Sequence, residues 1–116
     1  MELRHLRYFV AVAEEKNFTR AAERLHIAQP PLSRQIQQLE EELGVQLIEK
    51  GSRPLRLTEA GRFFHAHAQE LLAKAADLKT MTQRVGKIER TLSIGFVAST
   101  LYGLLPEIVR RFRERY

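Results

Sequence analysis

Phe64, Ala68, Leu71, Ala75, Leu78, Met81, Val85 and Ile88 recur at intervals of 4, 3, 4, 3, 3, 4 and 3 residues. This rhythm is close to a heptad seam and predicts one helix from about Glu59 to about Ile88. About thirty residues at 1.5 Å each make a rod of roughly 45 Å. No small domain buries one face of such a rod alone. The spacing therefore predicts a dimerisation helix, with Phe64, Ala68, Leu71, Ala75, Leu78, Met81 and Val85 as its paired stripe. Packing of the helix on its own domain is the alternative. A chain of 116 residues leaves room for one small domain before this helix and the beginning of another after it.

Ahead of the rod, apolar residues recur at helical spacing in three short runs. Leu3, Leu6, Phe9, Val10 and Ala13 mark a helix from Leu3 to Glu15, broken by Lys16 and Asn17. Phe18 to His26 is a second, with Asn17 or Thr19 as N-cap and Ala21, Ala22 and Leu25 as its buried face. Pro30 and Pro31 suit the first turn of a third helix, where a missing amide hydrogen does no harm. This helix runs to Leu43, and Gly44 supplies the left-handed stop. Val45, Leu47 and Glu49, then Leu55 and Leu57, alternate around the turn cluster Gly51-Ser52-Arg53-Pro54. They predict two short strands in a small hairpin. Thr58 can cap the long helix, with Glu59 in its first turn.

Three short helices, a tight second connection and a hairpin describe a winged helix-turn-helix. On the third helix, Leu32, Ile36, Leu39 and Leu43 fall within an arc of about 60°. Opposite lie Arg34 and Glu41, flanked by Pro30, Gln37 and Gln38, with Ser33 at the edge and Gln29 at the start. Arg presents a fork that matches guanine, and Gln one that matches adenine. Ser33 and the amides of the first turn suit phosphate. Glu40, Glu41 and Glu42 would be repelled by phosphate, so the helix is expected to enter a major groove by its N-terminal end. Lys50 and Arg53 sit on the narrow hairpin tip, a shape that fits an A·T-rich minor groove. An interaction module that keeps this scaffold but binds protein is the alternative, and would show aromatic or Leu residues on the same face.

Composition limits other readings. Apolar residues are 44 % and charged residues 28 %, the balance of a chain that folds around a core. With no cysteine there is no disulfide framework and no thiolate metal site. Net charge is +5, but residues 1–58 hold nine Lys/Arg against eight Asp/Glu. Any polyanion contact in that half must rest on a few well-placed charges. The longest apolar run, Tyr8 to Ala13, is far too short to span a membrane and is followed by Glu14 and Glu15, unlike a secretory signal. His65 and His67 stand about 200° apart on a helix and cannot share a metal. His5 and His26 have no ligand-spaced partner and are expected at the surface or its boundary. No nucleophile-and-base pair, phosphate loop or carboxylate cleft is visible, so neither an enzyme nor a cofactor or metal site is expected.

After Lys87 the period changes again. Thr91 to Val97 alternates as a strand, and Ser99-Thr100 precedes a helical stretch to Arg115 that carries Arg110, Arg111, Arg113 and Arg115. This predicts the first βα unit of an α/β domain whose remainder is missing. The basic end reads as a solvated helix face, with non-specific nucleic-acid contact as the lesser reading.

The stretches Phe18-Thr19-Arg20-Ala21-Ala22-Glu23-Arg24-Leu25, Gln29-Pro30-Pro31-Leu32-Ser33-Arg34-Gln35-Ile36, Leu39-Glu40-Glu41-Glu42-Leu43-Gly44 and Leu57-Thr58-Glu59-Ala60-Gly61 resemble the DNA-binding domain of LysR-type transcriptional regulators. The resemblance covers residues 1 to about 88. The paired prolines and Leu101-Tyr102-Gly103-Leu104-Leu105-Pro106-Glu107-Ile108 resemble the subgroup that controls benzoate and catechol catabolism. The resemblance implies a bacterial cytoplasmic regulator that binds double-stranded DNA at interrupted dyads. It implies a homodimer through the linker helix, a tetramer in the full-length protein and a small-molecule inducer for that full-length form. Family contacts to base and phosphate carry over to Gln29, Pro30, Ser33, Arg34 and Arg53; Pro31, Gln37 and Lys50 complete the expected interface. Pro31 stands where Ala is often found, and Ile48 and Lys50 where Phe and Arg are common. In the family the turn after the first effector-domain strand helps hold inducer, which points to Ser99 and Thr100 as part of a site for a diacid such as muconate. The expected fold is thus mainly α: a winged helix-turn-helix at 1–58, a linker helix at 59–89 and the truncated start of an α/β effector domain at 90–116.

Overall fold

The computed structural model describes residues 1–102 and 112–113. They include α1 (Leu3–Glu15), α2 (Phe18–Leu25), α3 (Gln29–Leu43) and α4 (Glu59–Tyr102). The chain divides into two units, Met1–Ala75 and Ala76–Tyr116.

Local chemistry sets the helix ends. Lys16 turns left-handed at φ 55°, and its amide returns to Val12 O at 2.9 Å, closing α1. Asn17 rather than Thr19 caps α2, its Oδ1 accepting from Arg20 N at 2.9 Å. α2 stops at Leu25 because His26 is itself left-handed, φ 58°. α3 begins at Gln29, a residue ahead of the first proline, and ends where Gly44 adopts φ 71°.

Phe9, Val12, Leu32, Ile36, Leu39 and Leu47 are the largest fully buried side chains. α1 supplies Phe9 and Val12, α3 supplies its 32-36-39 stripe, and Ala21 and Ala22 let α2 approach closely. Leu43, expected on the same stripe, is 37 % exposed. The last turn of α3 projects past the core, so only the first three members of the stripe are covered.

α1 is buried on a second side as well. Phe64 of α4 meets Phe9 edge-on, with ring centroids 5.2 Å apart and planes at 84°. Ala68 packs with Leu6 and Val10, and Leu72 lies against them. Two members of the expected dimerisation stripe are therefore used inside their own unit. The physical reason is direction: α4 passes α1 from Phe9 back towards Leu6, close to the start of α1 at Leu3, which is itself 46 % exposed. Leu71 is 48 % exposed.

The wing between α3 and α4 is smaller than a two-stranded hairpin. Among the described residues there is no named strand, only one antiparallel bridge, Ile48 with Leu57. Glu49 N donates to Arg56 O at 2.9 Å and Thr58 N to Leu47 O at 3.0 Å. The ladder stops there because the neighbouring groups are used otherwise. Leu47 N and Ile48 N go to a side chain of α3, Arg56 N goes to Ser52 Oγ, and Pro54 has no amide hydrogen.

Thr58 joins wing to helix. Its Oγ1 donates to Gln46 O at 2.6 Å and accepts from Gly61 N at 3.0 Å, capping α4 as expected. Gly61 is buried against the wing. A Cβ there would run into the Leu47 carbonyl, which is backbone and cannot swing aside.

In the second unit α4 continues through the segment expected to be a strand, Thr91 to Val97, and on to Tyr102. A lone strand leaves its amides and carbonyls unpaired, whereas a helix closes them within one segment. The Thr91 hydroxyl donates to Lys87 O at 2.9 Å, a bond that helical geometry provides. Ser99 and Thr100 consequently lie inside a helix instead of at its opening. The rest of the helix expected to reach Arg115, with Arg110, Arg111 and Arg115, lies outside the described residues; Phe112 and Arg113 are helical.

Gly61→Ala is expected to destabilise the N-terminal unit by about 3 kcal/mol, since overpacking against fixed backbone costs of that order. Thermal unfolding checks this: a melting temperature equal to wild type would mean that α4 can back away from Leu47.

Candidate nucleic-acid interface

The turn into α3 decides what that helix can present. His26 N donates to Glu23 O at 3.2 Å and Ile27 N to Ala22 O at 3.0 Å, which folds the chain back tightly. Ala28 is extended and gives no side-chain cap. Gln29, Pro30 and Pro31 then occupy the first three helical positions, and two of them lack an amide hydrogen. The expected phosphate cradle of first-turn amides is correspondingly reduced, and anion contact there falls to side chains. Gln29 Nε2 donates to Ser33 Oγ at 2.7 Å. This braces the two residues together and leaves the Ser33 hydroxyl proton and the Gln29 carbonyl available.

Pro30, Pro31, Arg34, Gln37, Gln38 and Glu41 are exposed, while Gln29 and Ser33 are half-buried. The structure therefore places the whole expected set on one side of α3. The wing tip carries Lys50 and Arg53, both exposed. Gly51 turns at φ 69°. Ser52 Oγ steadies the tip by donating to Glu49 O at 3.0 Å. An open groove of about 1200 Å³ runs between the start of α2, α3 and the wing; Lys16, Thr19, Gln37, Lys50 and Arg53 are among its lining residues.

Charge pairing separates the cations of this unit. Arg24 is held by Glu14 and Glu15 at 3.4 Å each, Arg56 by Glu49 at 3.3 Å and Arg4 by Glu2 at 3.2 Å. Arg34, Lys50 and Arg53 make no ion pair among the described residues. Arg7, Lys16, Arg20 and Lys74 of this unit make none either, so Arg34, Lys50 and Arg53 are distinguished by their place on α3 and the wing tip, where all three are exposed.

The edges of α3 hold what sequence reasoning missed. Glu40, Glu41 and Glu42 are expected only to keep the C-terminal end of α3 away from phosphate, and two of them have partners inside the fold. Glu40 accepts from Leu47 N at 2.7 Å and Ile48 N at 3.3 Å. Glu42 pairs with the Met1 ammonium at 2.7 Å. That contact holds the Glu42 carboxyl below the usual carboxylate range. Among the described residues Glu41 is the carboxylate on this end of the helix that has no such partner. His5, expected at the surface or its boundary, is half-buried and forms a bridge: its Nδ1 accepts from Glu2 N at 2.9 Å, and its Nε2 meets Gln35 Oε1 at 2.8 Å. With Nδ1 an acceptor, Nε2 carries the proton and donates. One signal was available. Glu40 and Gln35 lie only roughly 60–80° from the Leu32 direction, close enough to the buried arc to reach neighbouring elements.

His67 stacks on Phe63, centroids 4.3 Å apart, and faces Glu70 at 3.6 Å. The Nε2 of His65 is buried without a hydrogen-bond partner. The two rings thus serve separate surroundings. In the second unit Leu78, Met81 and Val85 are 68 %, 60 % and 55 % exposed. No helix among the described residues is long and apolar enough to cross a membrane.

Comparison with known proteins agrees with this geometry. The family model for the bacterial regulatory helix-turn-helix protein, lysR family, matches residues 3–62. The transcriptional regulator BenM of Acinetobacter baylyi is 58 % identical over 116 residues, covering 100 % of this chain and 38 % of BenM. CatR of Pseudomonas putida is 57 % identical over 115 residues, 98 % of this chain and 39 % of CatR. The crystal structure of the BenM DBD with benA site 1 DNA superposes with a TM-score of 0.73 at 62 % identity, over 74 % of this chain and 97 % of that one. This chain thus spans 38–39 % of the length of those two regulators. With α1–α3, the wing and the family match in register, the chain belongs to the LysR family of bacterial regulatory helix-turn-helix proteins.

Proposed function

We propose that this chain is the DNA-binding and dimerising part of a sequence-specific transcription regulator that works in the bacterial cytoplasm. The observation that carries the reading is the exposed face of α3, where Arg34 and Gln37 lie open beside a wing tip with two exposed cations, none of the three cations in an ion pair among the described residues. Arg34 reads a base edge in the major groove, with Gln37 beside it. Gln29 and Ser33 hold phosphate, Pro30 and Pro31 lie against the groove wall, and Lys50 and Arg53 reach the adjoining minor groove. Two relatives' DNA-binding domains, those of BenM and CbnR, have been crystallised with DNA and share this fold.

Dimerisation rests on α4. Phe64 and Ala68 are occupied within the first unit, which leaves Leu71, Ala75, Leu78, Met81 and Val85 as the pairing stripe. Two paired chains present two copies of α3, as a dyad site requires. The full-length protein is a tetramer that answers to a small molecule from aromatic catabolism. That sensing belongs to residues 90 onward and to the part of the relatives that this chain does not span. The turn on which a contact from Ser99 and Thr100 depends is not formed here, because both lie within α4. This chain alone accordingly binds its operator without responding to inducer.

Selection of bound sequences from a random duplex pool tests the reading directly, and an unenriched pool would defeat it. Arg34→Ala is expected to cost about 1–3 kcal/mol and to relax preference at one base pair per half-site. Unchanged affinity and preference would remove Arg34 from the groove. Leu78→Asp is expected to give monomers in sedimentation velocity and a large loss of affinity for a full dyad, but little loss for a single half-site. A wild-type chain that sediments as a monomer at high micromolar concentration would refute the pairing stripe.

A further inference from the structure

Glu40 sits on the edge of α3, roughly 80° from the Leu32 direction, between the buried stripe and the face that carries Arg34 and Gln37. Its Oε2 accepts from two successive backbone amides, Leu47 N at 2.7 Å and Ile48 N at 3.3 Å. A carboxylate that accepts backbone amides makes charge-assisted bonds, stronger than neutral ones. Among the described residues no cation pairs with Glu40, so these two peptide dipoles are what its charge is turned towards. They are also the only side-chain hydrogen bonds that run from α3 to the wing among the described residues.

The position of those amides gives the bonds their consequence. Leu47 and Ile48 begin the wing, and Ile48 forms its single bridge with Leu57. With one bridge in place of a ladder, the wing has little rigidity of its own. Beyond the bridge lie Lys50 and Arg53. Behind Glu40, on the same rigid helix, lie Arg34 and Gln37. The carboxylate therefore sets the spacing between the residues that face one groove and the cation that faces the next.

We propose that Glu40 is a positioning residue that couples the wing to the recognition helix, so that the contribution of Arg53 to binding depends on it while that of Arg34 does not. This rests on the DNA-binding reading above. An acidic residue on an anion-binding surface ordinarily weakens binding. Here its removal is expected to weaken binding too, because the charge is engaged inward and its loss frees the wing.

Two measurements on the whole chain test this. The first uses no DNA. In Glu40→Ala, amide hydrogen exchange at Leu47 and Ile48 should accelerate by more than about tenfold, the scale of a lost charged hydrogen bond, while the amides of Ile36 and Leu39 keep their protection. The second is a pair of double-mutant cycles on a duplex with A·T-rich flanks. Glu40→Ala should weaken binding about tenfold in the wild-type background and less than about threefold once Arg53→Ala is present. Combined with Arg34→Ala its effect should multiply in full. Glu40→Gln, whose amide oxygen can accept the same two bonds, should bind within about threefold of wild type. Glu40→Asp keeps the charge but is too short to reach; it should behave like Glu40→Ala and carries both measurements if the alanine variant does not fold. Unchanged exchange at Leu47 and Ile48, or effects of Glu40 and Arg53 that multiply in full, would overturn the proposal. If wild type binds no duplex selectively, the functional reading fails by itself, and the exchange result still decides whether Glu40 holds the wing.

Discussion

The peptide groups on either side of Leu47 connect three elements within one residue's length. The Leu47 amide is held by Glu40 of α3. Its carbonyl accepts from Thr58 N and closes against Gly61 at the start of α4. Its side chain is fully buried in the core. Recognition helix, wing and long helix are thus referred to one point, and no extended sheet is required to hold them in register. This explains how so small a wing keeps a defined place, since one bridge alone would be marginal.

Much of the first unit is legible in the sequence because its signals are local and agree with one another. Asn17 announces the start of α2 and Gly44 the end of α3, and the 32-36-39 spacing identifies the buried face. The exposed set on α3 follows from the same arithmetic, since whatever lies opposite a buried arc must be outside. What was not legible depends on partners far along the chain. The helical angle of Glu40 puts it near the buried arc, but nothing local names its partners until Leu47 and Ile48 are brought beside it. His5 is placed at the surface or its boundary, but its bridge to Gln35 appears only when α1 and α3 are packed together. Phe64 and Ala68 fit a pairing stripe equally well until α1 is seen to cover them.

The segment Thr91 to Val97 fails for a different reason. Alternation is evidence for a strand only where another strand stands ready to accept its hydrogen bonds. Among the described residues none does, and the backbone satisfies itself by continuing α4. The helical residues before it, Gly86-Lys87-Ile88, include no proline to stop α4. The same sequence followed by the remainder of an α/β domain would have a different set of partners to choose from.

Pro30 and Pro31 have an effect beyond their missing amides. Each ring fixes one backbone torsion near the helical value before the chain folds, and this reduces the number of arrangements the start of α3 must give up. The leading turn of a helix is ordinarily the part that frays. Here it is the part that would meet a surface first, and it arrives with its shape already set. Association then orders side chains such as Arg34 and Gln37 without also having to order the backbone beneath them. A stiff leading turn also transmits misfit poorly, so a poorly matched partner gains little from local adjustment of the helix.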